Sequence, residues 1–355
     1  MKFQIRGLIA LVALGLASGS ALAQTPAEFY KGKTVDLYVG YSTGGGYDVY
    51  GRIVARFMGR HIPGNPTVVV KNMDGAGSMR AANYLYNVAP KDGTAFGTVA
   101  RGLAFDTLFG LQGAQFDGTK FSWIGSANDE VSVCVGWNAT SGITKFDDLK
   151  TKQMIVGGTG GSADTDQFPR IINAVLGTKM KLVVGYPGGN EVNLAMERGE
   201  VQGRCGWSWS SVKSTQAGWL KDKKINILVQ LSLSKHADLP DVPLIMDLAQ
   251  TEEQKQIFRL IFARQVLGRP FLGPPGIPAD RLTALRTAFM DTMKDPDFLA
   301  EADKLKLEIT AVPGETLQKI VQEAYATPKD VVKKAAEMIA IDDLSLIHIS
   351  EPTRR

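Results

Sequence analysis

Two segments of this chain share one local order: an apolar run, a cluster of glycines with hydroxyl side chains, then apolar residues at helical spacing. The first is Gly40-Tyr41-Ser42-Thr43-Gly44-Gly45-Gly46-Tyr47-Asp48, and the second is Gly157-Gly158-Thr159-Gly160-Gly161-Ser162-Ala163-Asp164. Glycine lets backbone N–H groups come close to a ligand, a helix start leaves such donors unpaired, and the helix dipole favours negative charge there. Each segment is therefore a candidate carboxylate cradle. The plainer alternative is a tight strand-to-helix turn with Thr43 or Ser162 as its cap. One such loop in each half of the chain favours the cradle, because a cleft would bring the two face to face. A third loop, Asn72-Met73-Asp74-Gly75-Ala76-Gly77-Ser78, also ends at a helix start and would border them through Gly75 and Ala76.

Other side chains suit the same chemistry. Arg101 follows a strand's carboxyl end, the usual ligand-facing position in open α/β sheets, where a guanidinium can hold a carboxylate through two parallel hydrogen bonds. Arg204 is a weaker candidate because it lies inside a strand-like run. Trp207 and Trp209 would face one side if GWSWSS is extended, forming an aromatic wall or, more commonly, packing at a lobe junction. Tyr186, before Pro187-Gly188-Gly189, would point into the cleft. Asp48 would contact ligand or merely offset the dipole in a helix's first turn.

Catalytic readings find less support. Gly158, Gly160 and Ala163 fit a dinucleotide fingerprint, but the next strand ends in Val184-Gly185-Tyr186 with no acid for a ribose. Only three histidines are present, at positions 61, 236 and 349, the last in the C-terminal tail, which gives little support to a metal site or an assisted nucleophile. Ser210-Ser211-Val212-Lys213 and Ser232-Leu233-Ser234-Lys235 match S-x-x-K by chance, having no K-T-G partner. The expectation is no catalytic residue, no cofactor and no metal.

These residues need two α/β layers to position them. Strands are expected at Thr34 to Gly40, Thr67 to Lys71, Thr94 to Ala100, Met154 to Val156 and Val201 to Trp207. Helical stripes between them, such as Tyr50, Ile53, Val54, Phe57 and Met58 opposite Arg52, Arg56 and Arg60, predict parallel sheets with crossover helices. A further amphipathic helix starts near Asp280. The predicted organisation is a leader at 1–23, lobe 1 over 24–131, lobe 2 over 132–232, and a return to lobe 1 with C-terminal helices over 233–342. Residues 343–355 fit nothing before them and are expected to be non-native.

Lys2 and Arg6, the apolar run from Leu8 to Leu16 and Ala21-Leu22-Ala23 make a cleavable export signal. The predicted location is the periplasm of a Gram-negative bacterium. Loss of the leader takes the formal charge from +4 to +2, too nearly neutral for a basic nucleic-acid surface. About 330 remaining residues suit two lobes of roughly 120 to 200. The two cysteines, Cys134 and Cys205, are either a disulfide or two buried thiols on neighbouring strands.

The sequence resembles the extracytoplasmic receptors of tripartite tricarboxylate transporters, the Bug-type solute-binding proteins, from Phe29 to about Thr327. YKGKTVDLYVGYSTGGGYD stands where that family has a YPxKPI-like strand and PGGxxD loop. VVVKNMDGAGSMRAA is similar to its VENRPGAGGxxGA, PKDGTAFGT to its PDGYTL turn, and GYPGGNE to its PYKGG loop; PPGIPADRLTALRTAF follows. The resemblance implies a type II periplasmic-binding fold closing on a small carboxylate, delivery to membrane transporter subunits, a monomeric state and no catalysis. It nominates Tyr41, Thr43, Gly44, Gly45, Gly46 and Asp48 on one lobe and Gly158, Thr159, Gly160, Gly161 and Ser162 on the other. Departures are Thr43 in place of a proline, GRCGWSWSS in place of an apolar segment ending in Asp, and Arg101 where small or polar residues are frequent. A sensor for a membrane kinase would share this fold, and a periplasmic enzyme using Asp48 or Asp164 is the remaining reading.

Overall fold

The computed structural model describes residues 24–340; the leader at 1–23 and the tail at 343–355 lie outside the described residues. Six strands form one sheet: β1 (Thr34–Val39), β2 (Thr67–Asn72), β3 (Ala95–Thr98), β4 (Ser122–Ser126), β10 (Pro270–Gly273) and β11 (Val312–Pro313), in the order β11-β4-β10-β3-β1-β2. The second sheet holds β5 (Ser132–Trp137), β6 (Met154–Gly157), β7 (Met180–Val183), β8 (Gly203–Ser208) and β9 (Ile225–Leu231), in the order β7-β6-β8-β5-β9.

The expectation of parallel sheets holds for only part of each sheet. Pairing is parallel in β2-β1-β3 and β7-β6-β8, but β10 runs antiparallel to β3 and β4, and β5 antiparallel to β8 and β9. The cause is the crossing of the chain between sheets. β1, β3, β6 and β8 end at the cleft, whereas β5 and β10 begin there, just after a crossing, and so run back against them. β10 was not visible in the sequence: it is four residues long and starts with Pro270, which a strand tolerates at its first position.

In the first layer the helix Gly46–Met58 turns Tyr50, Ile53, Val54 and Met58 onto Val35, Leu37 and Val39 of β1, with Phe271 and Phe289 completing the cluster. Its arginine face is tied down by ion pairs: Arg52 to Asp48, Arg56 to Glu301 and Arg60 to Asp295. A second apolar cluster is shared by both layers. Leu85 and Phe105 from the first meet Phe168 and Ile172 from the second, with Phe258 and Phe262 between them. Phe262 belongs to the helix Glu252–Phe262, which starts at a capping box: the Thr251 hydroxyl accepts the Gln254 N–H and the Gln254 side chain accepts the Thr251 N–H. Among the described residues no helix is long and apolar enough to cross a membrane.

Cys134 and Cys205 stand opposite each other on β5 and β8 and are joined as a disulfide. The open alternative in the sequence is thereby resolved in favour of the bridge.

Candidate functional site

The strand ends that meet between the two layers enclose a cavity of about 50 Å³. One wall is Tyr41, Gly45, Gly46 and Tyr47 after β1, Ala100 and Arg101 after β3, and Arg269 just before β10. The other is Thr159, Ala163, Asp164 and Thr165 after β6, Gly189, Asn190 and Asn193 after β7, and Arg204, Gly206, Trp207 and Ser208 on β8. Ligand-facing carboxyl ends of strands are the common arrangement in open α/β sheets. The antiparallel strand β10 adds Arg269, just before its start, to the same place.

Three buried guanidiniums line the cavity and a fourth, Arg264, stands beside its Asp164; three of the four have carboxylate partners. Arg101, 2 % exposed, lies 3.3 Å from Asp164 and donates to Gln265 (2.6 Å) and to Ser208. Arg264, wholly buried, lies 3.6 Å from the same Asp164, donates to Gln167 (2.5 Å) and sits among the rings of Phe105, Phe109 and Phe168. Arg269 lies 3.5 Å from Glu130, donates to Ser210 and Ser211, and stacks on Tyr47. Arg204 differs. Its Nη1 donates to the Gly189 carbonyl and to Asn193 Oδ1, both at 3.1 Å, and Trp207 lies 4.7 Å beneath its plane. No carboxylate among the described residues reaches it, because the nearby Glu191 accepts instead from Ser42 at 2.9 Å. Burial without such a partner pulls Arg204 down to about 9, which leaves it charged at neutral pH.

Of the residues singled out from sequence, Tyr41, Gly45, Gly46, Arg101, Thr159 and Trp207 line this cavity. Trp209 does not: the extended run ends at Ser208, a helix begins at Trp209, and its indole donates to Asp238 at 3.1 Å. Thr43 is exposed beside Asn72. Asp48 serves its own loop, accepting from the Gly44 N–H, Arg52 Nε and Asn72 at 2.8 Å each. Gly75, Ala76, Gly160, Gly161 and Tyr186 line a separate hollow of about 300 Å³ on the rim. Gly158 packs against Asp166, with no room for a Cβ, and Ser162 is wholly buried. Sequence reasoning passed over Arg264, Arg269, Gln265 and Glu130. The available signal was a charge inside an apolar stretch, Ile257 to Phe271, where an arginine must be buried with a partner or not at all.

The glycine loops also touch the opposite layer directly. The Gly77 N–H donates to the Thr159 carbonyl at 3.0 Å, and Asn190 donates to the Thr43 carbonyl at 3.3 Å. Elsewhere, His236, Asp238 and Glu308 present ligand atoms within 4.8 Å of one another, but the Lys213 ammonium already pairs with both carboxylates.

Outside the cavity lining, burial raises Asp106 to about 7 against the opposing pull of Ser162, Arg264 and Gln167, and raises Asp166 to about 6 despite the Gly160 N–H. A carboxyl whose folded value exceeds its unfolded value of about 3.9 holds extra protons in the folded state, so stability falls as pH rises between the two. The melting temperature is expected to drop from pH 5 to pH 8, and Asp106→Asn should flatten that slope. An unchanged slope in the variant would remove Asp106 as its source.

No protein-family model matches the sequence, and no curated protein does either. Solved structures do match. The periplasmic binding protein BugD is 18 % identical over 86 % of this chain and 98 % of its own, with a TM-score of 0.70. MatC from Rhodopseudomonas palustris with bound malate is 17 % identical over 84 % and 99 %, with a TM-score of 0.68. A TctC solute-binding protein from Polaromonas is 18 % identical over 86 % and 99 %, with a TM-score of 0.55. At these identities the likeness is one of fold: this chain has the two-lobed α/β fold of the Bug and TctC periplasmic binding proteins.

Proposed function

We propose that this protein is a periplasmic solute receptor that captures a small carboxylate between its lobes and delivers it to a membrane transporter of the tripartite tricarboxylate type. The observation that carries the reading is the enclosed cavity, walled by both lobes and containing a buried guanidinium without a carboxylate partner. An unpaired buried charge is costly, so a site built around one is suited to a ligand that supplies the opposite charge. The malate bound by MatC supports a carboxylate as that ligand. Lobe 2 is the segment 132–232, and the receptor acts as a monomer without chemistry of its own. The export signal at 1–23 accounts for the periplasmic location.

Native mass spectrometry of the protein as purified, followed by thermal-shift titration with mono-, di-, tri- and aromatic carboxylates, tests this. One acid bound per chain with a raised melting temperature is the expected result. No retained acid and no shift across the panel would end the carboxylate reading.

A further inference from the structure

The charges around the cavity define the ligand more narrowly than its class. Four guanidiniums, of Arg101, Arg204, Arg264 and Arg269, are gathered with three carboxylates, of Asp106, Asp164 and Glu130. Glu130 faces Arg269, and Asp164 lies between Arg101 and Arg264, with Asp106 beside Arg264. The one guanidinium of the four that no carboxylate faces is Arg204, only 9 % exposed. Its two protein hydrogen bonds both use Nη1, while Nε is buried with no partner. The Nε–Nη2 edge is thus free, and that edge matches the two oxygens of a single carboxylate. Gly189 makes room for it: a Cβ there would stand 2.7 Å from Nη2. This is also the first residue of the nine-residue helix Gly189–Glu197, whose initial N–H groups favour an anion.

No second arginine of the lining lacks a carboxylate partner. Arg101 and Arg269 also keep an Nε without a hydrogen-bond partner, but each already faces a carboxylate, Asp164 and Glu130 respectively, and the Asp164 carboxylate lines the cavity. A second ligand carboxylate would face Asp164 at low dielectric, where like charges repel strongly. The remaining lining carries no charge beyond these groups: it is apolar, hydroxylic or, at Asn190 and Asn193, amide. Tyr41 and Tyr47 stack at 4.8 Å, Trp207 flanks Arg204, and Thr159, Thr165, Ser208, Ser211 and Thr215 offer neutral partners.

We propose that the cavity selects a monocarboxylate, with its one negative charge on the free edge of Arg204 and an uncharged remainder against Tyr41, Tyr47 and Trp207. This rests on the receptor reading above and departs from the malate held by MatC. Matched pairs that differ by one charge test it on the unmodified protein by calorimetry: succinate against succinamate, adipate against its monoamide, and terephthalate against its monoamide. The half-amide of the best-binding pair should bind at least tenfold more tightly than its diacid. Arg204→Met should weaken that binding at least a hundredfold, and Arg204→Lys, which keeps the charge but not the fork, should lose less. A diacid that binds as tightly as its half-amide overturns the single-charge assignment and leaves the carboxylate receptor standing. No binding by any member of the pairs, or by the wider acid panel, overturns both.

Discussion

Gly160→Ala is expected to fold normally and to bind ligand about a hundredfold more weakly, because its methyl group would occupy space that the opposite lobe fills on closure. A Cβ at Gly160 would stand 2.4 Å from both the Ala76 carbonyl carbon and the Gly77 nitrogen, and these are backbone atoms that cannot rotate aside. Glycine also supplies a φ of +130° there, a conformation that costs an L-residue about 1–3 kcal/mol. The two effects have different reach. Strain acts whether or not the lobes are together, whereas the collision exists only when the loop after β6 meets the loop after β2. Destabilising the closed form by about 2–3 kcal/mol lowers apparent affinity roughly 30- to 150-fold, since each 1.4 kcal/mol is a factor of ten. Gly185→Ala is the matched control: its φ is +105° with nothing within 4 Å, so it carries the strain without the collision. Calorimetry with the best-binding acid, paired with small-angle scattering to follow contraction, separates the two. If Gly160→Ala contracts and binds as Gly185→Ala does, the loop contact is not a closure latch.

That contact sharpens what glycine spacing in the sequence means. The runs at 40–46 and 157–161 mark places where a backbone must be approached closely, and this much is legible without a structure. What does the approaching is not. At Gly46 it is the side chains of Ser211 and Arg269, whereas at Gly77 and Gly160 it is the backbone of the other lobe. Arg101 was legible because a strand's carboxyl end is defined by local pattern. Arg264 and Arg269 were not, because their partners lie far away in sequence: Gln167 is 97 positions from Arg264, and Ser210 is 59 from Arg269. Long-range pairing also decided the sheet directions, which no local period encodes. The alternation of strands and helices revealed two α/β layers; where the chain re-entered the first layer through a four-residue strand opening on Pro270, it left no periodic signal.

Arg264 is where the shared interior is most exposed to a single change. Arg264→Ala is expected to cost roughly 3–5 kcal/mol, the range for removing one partner from a buried ion pair. The side chain is wholly buried at the junction of three segments. It reaches Asp164 and Gln167 in the second lobe, lies close to Asp106 of the first, and is itself carried on the segment that returns the chain between them. Truncation leaves Asp164 with only Arg101 and leaves Asp106 with no nearby guanidinium, while the rings of Phe105, Phe109 and Phe168 line a gap where the guanidinium stood. The loss has two parts, electrostatic and cavity, and a second substitution divides them. Arg264→Ala combined with Asp106→Asn removes one uncompensated acid and should recover part of the stability in denaturant unfolding at pH 8. The recovery should shrink at pH 5, where Asp106, at about 7, already carries a proton. Equal recovery at both pH values would show that the gap, rather than the stranded charge, accounts for the cost.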